Sequence, residues 1–309
     1  MSRVKFSVFA DLHHYPAAFY SRAPERLTAI QQRALRERVD CILSLGDFCH
    51  DVNATQELIG QFQDCPIPSY HILGNHDTDR STLADALRLY RMPDCYYHFD
   101  VNGFRFVAID TNYVRIDGRF EHFELGNYYG HPDTREILPP EELEWLRRTL
   151  LDSPFPCILL SHASIERESR PAVGNRDEVV AIIREANAHT PGKVRLAING
   201  HHHRDFLRIL ENVAYLDLNS TTFEWINHPH SFFPAELCAR HEFAANTVIY
   251  NDPVHAVITV DGDGTIEIAG MTSSMFMGVT REMTDNPPCD HAGRPCTPNV
   301  LSARFKMFY

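Results

Sequence analysis

Hydrophobic positions along the first two thirds of the chain alternate between short apolar runs and stretches with a helical repeat. Val4–Ala10 is apolar and β-branched and stops at Asp11, which predicts a buried strand. Pro24–Val39 begins at a proline and carries Leu27, Ile30, Ala34 and Leu35 at helical spacing. Cys41–Leu45 reads as a second strand closed by Gly46-Asp47, Val52–Phe62 as a helix, and Ser69–Leu73 as a strand closed by Gly74. Ser81–Tyr90 is helical again, with Leu83, Leu87 and Tyr90 in register. Tyr96–Val101 and Phe104–Ile109 flank Asn102-Gly103, a hairpin signal. Pro139–Leu150 has prolines at its entry and Glu141 and Glu142 in its first turn. Leu143, Leu146 and Leu150 share one face, and Arg147 and Arg148 come late, which suits the helix dipole.

Cys157–Leu160 then predicts a strand ending at Ser161-His162, Arg176–Ala188 a helix, and Val194–Ile198 a strand ending at Asn199-Gly200. Beyond this the pattern turns β-rich, with Phe206–Leu210, Val213–Leu218, Val254–Val260 and Thr265–Ile268. No repeat and no low-complexity linker interrupts it. One α/β domain over residues 1–270 is expected, followed by a C-terminal extension, 271–309, packing on it. Residues 111–135 and 219–252 fit neither period. Long segments of this kind inside a compact domain are usually functional. Both are rich in aromatic residues and histidine, so they are expected to wall a pocket.

Composition adds exclusions. The chain has 309 residues, 44% of them hydrophobic and 23% charged, which suits an ordinary folded protein. No run approaches the roughly 18 apolar residues of a membrane span, and the first residues lack the apolar core of a signal peptide. A cytoplasmic protein without a membrane partner is expected. A net charge of −12 argues against a nucleic-acid partner, because phosphates are neutralised by Lys and Arg. Eight scattered cysteines, some inside strand-like runs, read as reduced thiols. The 18 histidines are anomalous, and their positions decide what they mean.

Five apolar strands each end in Asp, Asn or His: Asp11-x-His13, Gly46-Asp47, Gly74-Asn75-His76-Asp77, His162, and Gly200-His201-x-His203. Ligands of open α/β sheets collect beyond the carboxyl ends of strands. The donor types suit Mn, Fe, Zn or Co ions and exclude a thiolate site. Seven donors (Asp11, His13, Asp47, Asn75, His162, His201 and His203) exceed the need of one ion. They match two ions about 3.5–4 Å apart. The i, i+2 spacings suit extended chain, where alternate side chains face one way, so His14 and His202 are expected to face away.

These five ordered motifs resemble the calcineurin-like metallophosphoesterase superfamily, over residues 4 to 203. The nearest branch in appearance is that of class III cyclic-nucleotide and glycerophosphodiester phosphodiesterases. The resemblance implies a two-sheet β-sandwich flanked by helices, in four αββα layers. It implies a metal-dependent phosphoric ester hydrolase with two divalent or transition metal ions and a small phosphate ester as substrate. Asp11, His13 and His203 would bind the first metal, and Asn75, His162 and His201 the second, with Asp47 bridging both. A metal-bound hydroxide would be the nucleophile. His76 would serve as general acid or hydrogen-bond donor at the leaving group, with Asp77 orienting it.

The resemblance favours a phosphodiesterase. A phosphomonoesterase or a nucleotide pyrophosphatase would use the same donors, and a non-catalytic scaffold would have lost some of them. The chain departs from the family at Gly46-Asp47-Phe48-Cys49-His50, where an acidic residue usually stands in place of His50. It also lacks the tyrosine of purple acid phosphatases and the longer motif of the Ser/Thr protein phosphatases. Trp225, His228, His230, Phe232 and Phe233, with Tyr128 and Tyr129, are candidates for stacking on a nucleobase. Arg115, Arg119, Arg167 and Arg170 could hold a second phosphate, and Cys289-x-His291 with Cys296 is half of a zinc pattern.

Overall fold

The computed structural model describes residues 2–168, 172–227, 230–285 and 295–309. Two six-stranded mixed sheets face each other. In lateral order the first contains Ala303–Lys306, Thr265–Ala269, Ala256–Asp261, Arg3–Phe9, Cys41–Ser44 and Ser69–His71. The second contains Phe206–Leu210, Val213–Asp217, Val194–Asn199, Cys157–Ser161, Phe104–Ala108 and Tyr97–Val101.

Strand periodicity builds the layers. Val4, Phe6 and Val8 point inward and meet Phe106, Ile158, Leu160, Leu196 and Ile198 of the opposite sheet. The alternate residues point outward. Phe9 and Ile42 pack against the helices Ala23–Glu37 and Gln56–Gln63 through Leu27, Ile30, Ile59 and Phe62. Val107, Leu159 and Ala197 pack against the helices Pro140–Leu151 and Arg176–His189 through Leu143, Leu146, Val179 and Ile183. Strands covered on both faces read as unbroken apolar runs, which is why the sequence announced them so clearly. The result is the four-layer αββα sandwich that the resemblance implies.

Arg3–Phe9, Cys41–Ser44 and Ser69–His71 are mutually parallel, as are Phe104–Ala108, Cys157–Ser161, Val194–Asn199 and Val213–Asp217. Five of these strands therefore deliver their following residues to one end of the sandwich.

The irregular segments hold structure that periodicity did not reveal. Residues 111–135 contain a small hairpin, Tyr113–Ile116 with Arg119–His122. Residues 219–252 contain the paired strands Phe223–Trp225 and Thr247–Ile249, with the helix Ala235–Arg240 between them. In the tail, Ala303–Lys306 pairs with Thr265–Ala269 as the edge strand of the first sheet, and Val300 and Met307 enter the inter-sheet core. Cys41, Cys49, Cys95 and Cys157 are buried thiols. No helix among the described residues is long and apolar enough to cross a membrane. Cys289 and His291 lie outside the described residues.

One buried acid anchors the start of the 111–135 segment. Glu142 Oε1 accepts the Asp110 backbone N–H at 2.8 Å, while Oε2 has no partner. The Asp110 carboxylate in turn binds His122 at 2.8 Å and the Asn112 backbone N–H at 3.0 Å. Burial, reinforced by the charge of Asp110, lifts the Glu142 carboxyl well above its usual range. Folding therefore favours the protonated acid. This contribution to stability is complete below the ordinary carboxyl value near 4.5 and declines as pH rises toward the higher folded value. Glu142→Gln cannot ionise, so its melting temperature relative to the parent protein should improve steadily from pH 5 to pH 8. A difference that stays flat across that range would contradict a protonated Glu142.

Candidate metal centre

Beyond the five strand ends the chain turns sharply. Asp11, His13, Asp47, His201 and His203 have φ of 55°, 50°, 50°, 65° and 50°. The i, i+2 pairs are therefore not on extended chain, and that part of the sequence reading is corrected. In left-handed backbone, strain costs about 1–3 kcal/mol per residue and persists only where tertiary contacts enforce it. Here the turns lock each other: Asp11 N–H donates to Gly46 O at 3.1 Å, and His13 N–H to Asp47 O at 2.9 Å. His201 N–H donates to the Asp11 carboxylate at 3.1 Å. Gly46 has φ +90°, and a side chain there would strike the Gly74 backbone and His162 Nδ1. At Gly74 a Cβ would overlap the Asp47 carboxylate, so only glycine lets that side chain approach.

The seven donors fall into two adjoining groups. In the first, His203 Nε2 lies 3.0 Å from His13 Nε2 and 3.4 Å from Asp11 Oδ1. In the second, His162 Nε2 lies 3.2 Å from Asp47 Oδ2, 3.1 Å from Asn75 Oδ1 and 3.1 Å from His201 Nδ1. Asp47 Oδ2 is also 3.9 Å from His13 Nε2, which places that carboxylate between the groups. His201 and His203, two residues apart, thus serve different groups.

Second partners fix the tautomers. His162 Nδ1 donates to Leu45 O and His203 Nδ1 to Phe223 O, both at 2.8 Å, which aims each Nε2 lone pair inward. Asn75 Nδ2 donates to the Tyr128 hydroxyl at 3.2 Å, so its oxygen faces the group.

Without cations, the donors can gain positive charge only by protonating one of their own rings. Burial holds His13 and His201 well below the usual imidazole range, in the neutral form that ligates metals. Burial also opposes a charge on His162, but Asp47 outweighs it and pushes that ring up to about 9. Asp47, despite its burial, is held well below the carboxylate range by His162 first. A proton on His162 Nε2 would stand where Asp47, Asn75 and His201 all present acceptor atoms. His201 Nε2 is buried without a partner. Nitrogen and oxygen donors facing each other in this way fit two divalent cations, with no thiolate among them.

One expectation about a neighbour needs revision. Asp77 does not orient His76. Its fully buried carboxylate accepts the backbone N–H groups of Gly74, Asp47, Phe48 and Cys49 at 2.8–3.2 Å and the Tyr90 hydroxyl at 2.9 Å. The partner of His76 is Asp79, whose Oδ2 meets His76 Nδ1 at 2.6 Å. That carboxylate also meets His50 Nδ1 at 3.0 Å, Tyr128 at 2.7 Å and Tyr129 at 3.1 Å. Burial would raise its pKa, but hydrogen bonds from His50 and His76 hold it below the carboxylate range. His50, unassigned from sequence, links this carboxylate to the donors, its Nε2 lying 2.9 Å from His13 Nδ1. Burial opposes a charge on His76 as well, yet Asp47 and then Asp79 raise its pKa.

Three of the seven stacking candidates are packing residues. Trp225 lies among Phe19, Phe223 and Phe243, Phe233 is buried, and Tyr128 is buried and stacked on Phe123. Tyr129 is exposed. Arg167 is bound to Asp217 at 2.9 Å, and Arg115 and Arg119 are exposed on the small hairpin. His228 and Arg170 lie outside the described residues.

A family model described as calcineurin-like phosphoesterase matches residues 4–205. No curated protein matches the chain. Among solved structures, a dimetal phosphatase from Danio rerio is similar, with a TM-score of 0.61 at 16% identity over 89% of this chain and 99% of that one. GAP50 of Plasmodium, described as the anchor in the inner membrane complex, gives 0.58 at 13% identity over 100% and 90%. PhoD gives 0.54 at 12% identity over 91% and 69%.

Asp77 and Asp79 should respond differently to the same change. Asp77→Asn turns an amide N–H₂ toward buried N–H donors and should cost about 3–5 kcal/mol, or roughly 10 °C in melting temperature. Asp79→Asn, nearer solvent, should cost less than half as much. Equal losses in thermal melts would contradict the separate roles of the two carboxylates.

Proposed function

The chain belongs to the calcineurin-like phosphoesterase family and is a metal-dependent phosphoric ester hydrolase, and from that premise we propose that its substrate is a phosphodiester. In this reading Asp11, His13 and His203 would hold one cation and Asn75, His162 and His201 a second, with Asp47 between them available to both. When bound, the two cations would supply the positive charge that stabilises the phosphoryl oxygens and makes water an available nucleophile near neutral pH. Their identity among Mn, Fe, Zn and Co follows only from the donor types.

The chain's own groups do the rest. The His76 backbone N–H holds Asp47 Oδ1 at 2.8 Å, fixing the shared carboxylate. Asp79 accepts a hydrogen bond from His76 Nδ1–H, so Nε2 is the ring nitrogen left to serve the substrate. As water adds its oxygen to phosphorus it releases a proton to solvent, the bond to the leaving oxygen breaks, and that oxygen takes a proton from His76 Nε2, which is reprotonated from solvent.

One observation carries the preference for a diester. Among the described residues, the arginines beside the His201–His203 turn are already committed: Arg167 and Arg208 to Asp217, Arg208 also to Glu166, and Arg204 to Glu224. A monoester dianion brings an extra negative charge that calls for a free guanidinium on that side of the donors, whereas a diester monoanion does not, and Arg80, which is free, lines the separate cavity that holds Asp79 and His50. Cyclic nucleotides and glycerophosphodiesters both satisfy this requirement.

After reconstitution with Mn²⁺, the protein should carry about two metals per chain and hydrolyse bis(p-nitrophenyl) phosphate faster than p-nitrophenyl phosphate. Preference for the monoester would overturn the diester reading. Asp47→Asn should lower metal content and turnover together, and a fully loaded, active variant would rule out the shared carboxylate.

His76→Ala should keep its metals and lose kcat, most for poor leaving groups. Asp79→Asn should lower kcat by about 10–100-fold with KM little changed, the effect of misorienting a group that acts only in the transition state. Loss of metal from His76→Ala, or a normal kcat in Asp79→Asn, would refute this division of roles.

A further inference from the structure

A cavity of about 530 Å³ is lined by His50 and Asp79, which hydrogen-bond to each other and link His76 to the donor His13. Its walls come from four separate parts of the chain. Tyr15 comes from the turn after the first strand, Arg80 follows Asp79, Tyr129 belongs to the 111–135 segment, and Glu242 and Phe243 to the 219–252 segment. A volume of this size lies within the range of small-molecule sites and far exceeds what a glycerol leaving group would fill.

Its chemistry is specific. Tyr129 is more than half exposed at 57%. One face of its ring rests on Tyr128 with centroids 4.5 Å apart, and its hydroxyl is held by Asp79, so the ring is a fixed platform. Tyr15 stacks on His50 with centroids 5.8 Å apart and carries the Arg80 guanidinium over its ring at 5.0 Å. Arg80 has no carboxylate partner among the described residues, unlike Arg167, Arg204 and Arg208. A preoriented guanidinium without a counter-ion asks for an anion, and a backed tyrosine ring asks for a second flat ring. Glu242 offers an acceptor for a hydroxyl or an exocyclic amine.

We propose that this cavity receives the leaving group, and that the leaving group is a mononucleotide whose base stacks on Tyr129 and whose phosphate meets Arg80. The proposal rests on the diester reading, in that the group departing past His76 is the one the cavity holds. It narrows the substrate to an ester in which a nucleotide is linked to the scissile phosphorus. That link is a dinucleotide phosphodiester, of which pApA is the simplest case, and hydrolysis of diadenosine diphosphate without hydrolysis of pApA would overturn it.

The test is calorimetric binding of AMP and adenosine to the Mn²⁺-loaded protein, with saturating inorganic phosphate occupying the metal centre. Arg80→Ala should weaken AMP at least tenfold and leave adenosine unchanged, while Tyr129→Leu should weaken both. Both side chains are exposed, and thermal melts of the variants would exclude misfolding as the cause. Equal AMP affinity in the parent protein and Arg80→Ala would overturn the proposal. If bis(p-nitrophenyl) phosphate is still cleaved in that case, the diester reading survives it. If AMP binding depends on Arg80 but the diester is not cleaved, the subsite stands and the diester reading falls.

Discussion

Five buried hydrogen bonds converge on the carboxylate of Asp77, from the backbone of Gly74, Asp47, Phe48 and Cys49 and from the Tyr90 hydroxyl. Three of those N–H groups belong to the turn after Cys41–Ser44, and the fourth to the turn after Ser69–His71. Neither turn can satisfy its own donors, because both are tight and buried, and an unsatisfied buried N–H costs about 1–3 kcal/mol. One acceptor with two oxygens solves the problem for both turns at once. In doing so it sets the distance between Asp47 and Asn75, which sit on the two turns it joins. The spacing of the proposed metal donors therefore depends on a residue that touches no proposed ligand atom.

The strained backbone at Asp11, His13, Asp47, His201 and His203 follows from the same constraint. A left-handed residue lets a side chain turn back over the strand end instead of continuing outward, and five of them bring donors from both sheets into one volume. The strain is held by hydrogen bonds that cross between turns, such as Asp11 to Gly46 and His201 to Asp11. It is also held by the inter-sheet core behind them, where Ala10, Leu45, Leu160 and Ile198 are buried. Without the sandwich each turn would relax, and the donors would separate.

What the sequence revealed depended on how local each signal was. The donors were legible because Gly-Asp, Gly-Asn-His-Asp and Gly-His-x-His directly follow apolar runs, so strand, turn and donor lie within a few residues of one another. The i, i+2 argument gathered the correct residues on an incorrect geometry, since spacing cannot tell an extended pair from two left-handed ones. Asp79 was missed because Asp-Thr-Asp-Arg reads as an ordinary loop, and its partners His50, Tyr128 and Tyr129 are 29 to 50 residues away. Asp77 was misassigned because it adjoins His76 in sequence, although its side chain points to the backbone. The edge strand Ala303–Lys306 is four residues long with every second residue exposed, too short to show a period.

The change of an acidic residue to His50 becomes intelligible beside Asp79. A carboxylate at position 50 would lie next to Asp79, two like charges sharing one buried space, and one of them would have to protonate. An imidazole there instead receives the Asp79 carboxylate at Nδ1 and presents Nε2 to His13. Asp79 holds His76, and position 50 is a connector between that carboxylate and a proposed metal ligand. The exchange also moves negative charge toward the loop that carries Tyr128 and Tyr129, whose hydroxyls both donate to it. One carboxylate then fixes the imidazole proposed as proton donor and the wall of the adjoining cavity together. A substrate that moved Tyr129 would have to disturb the hydrogen bond that orients His76, so binding in the cavity and the readiness of the proton donor are mechanically tied.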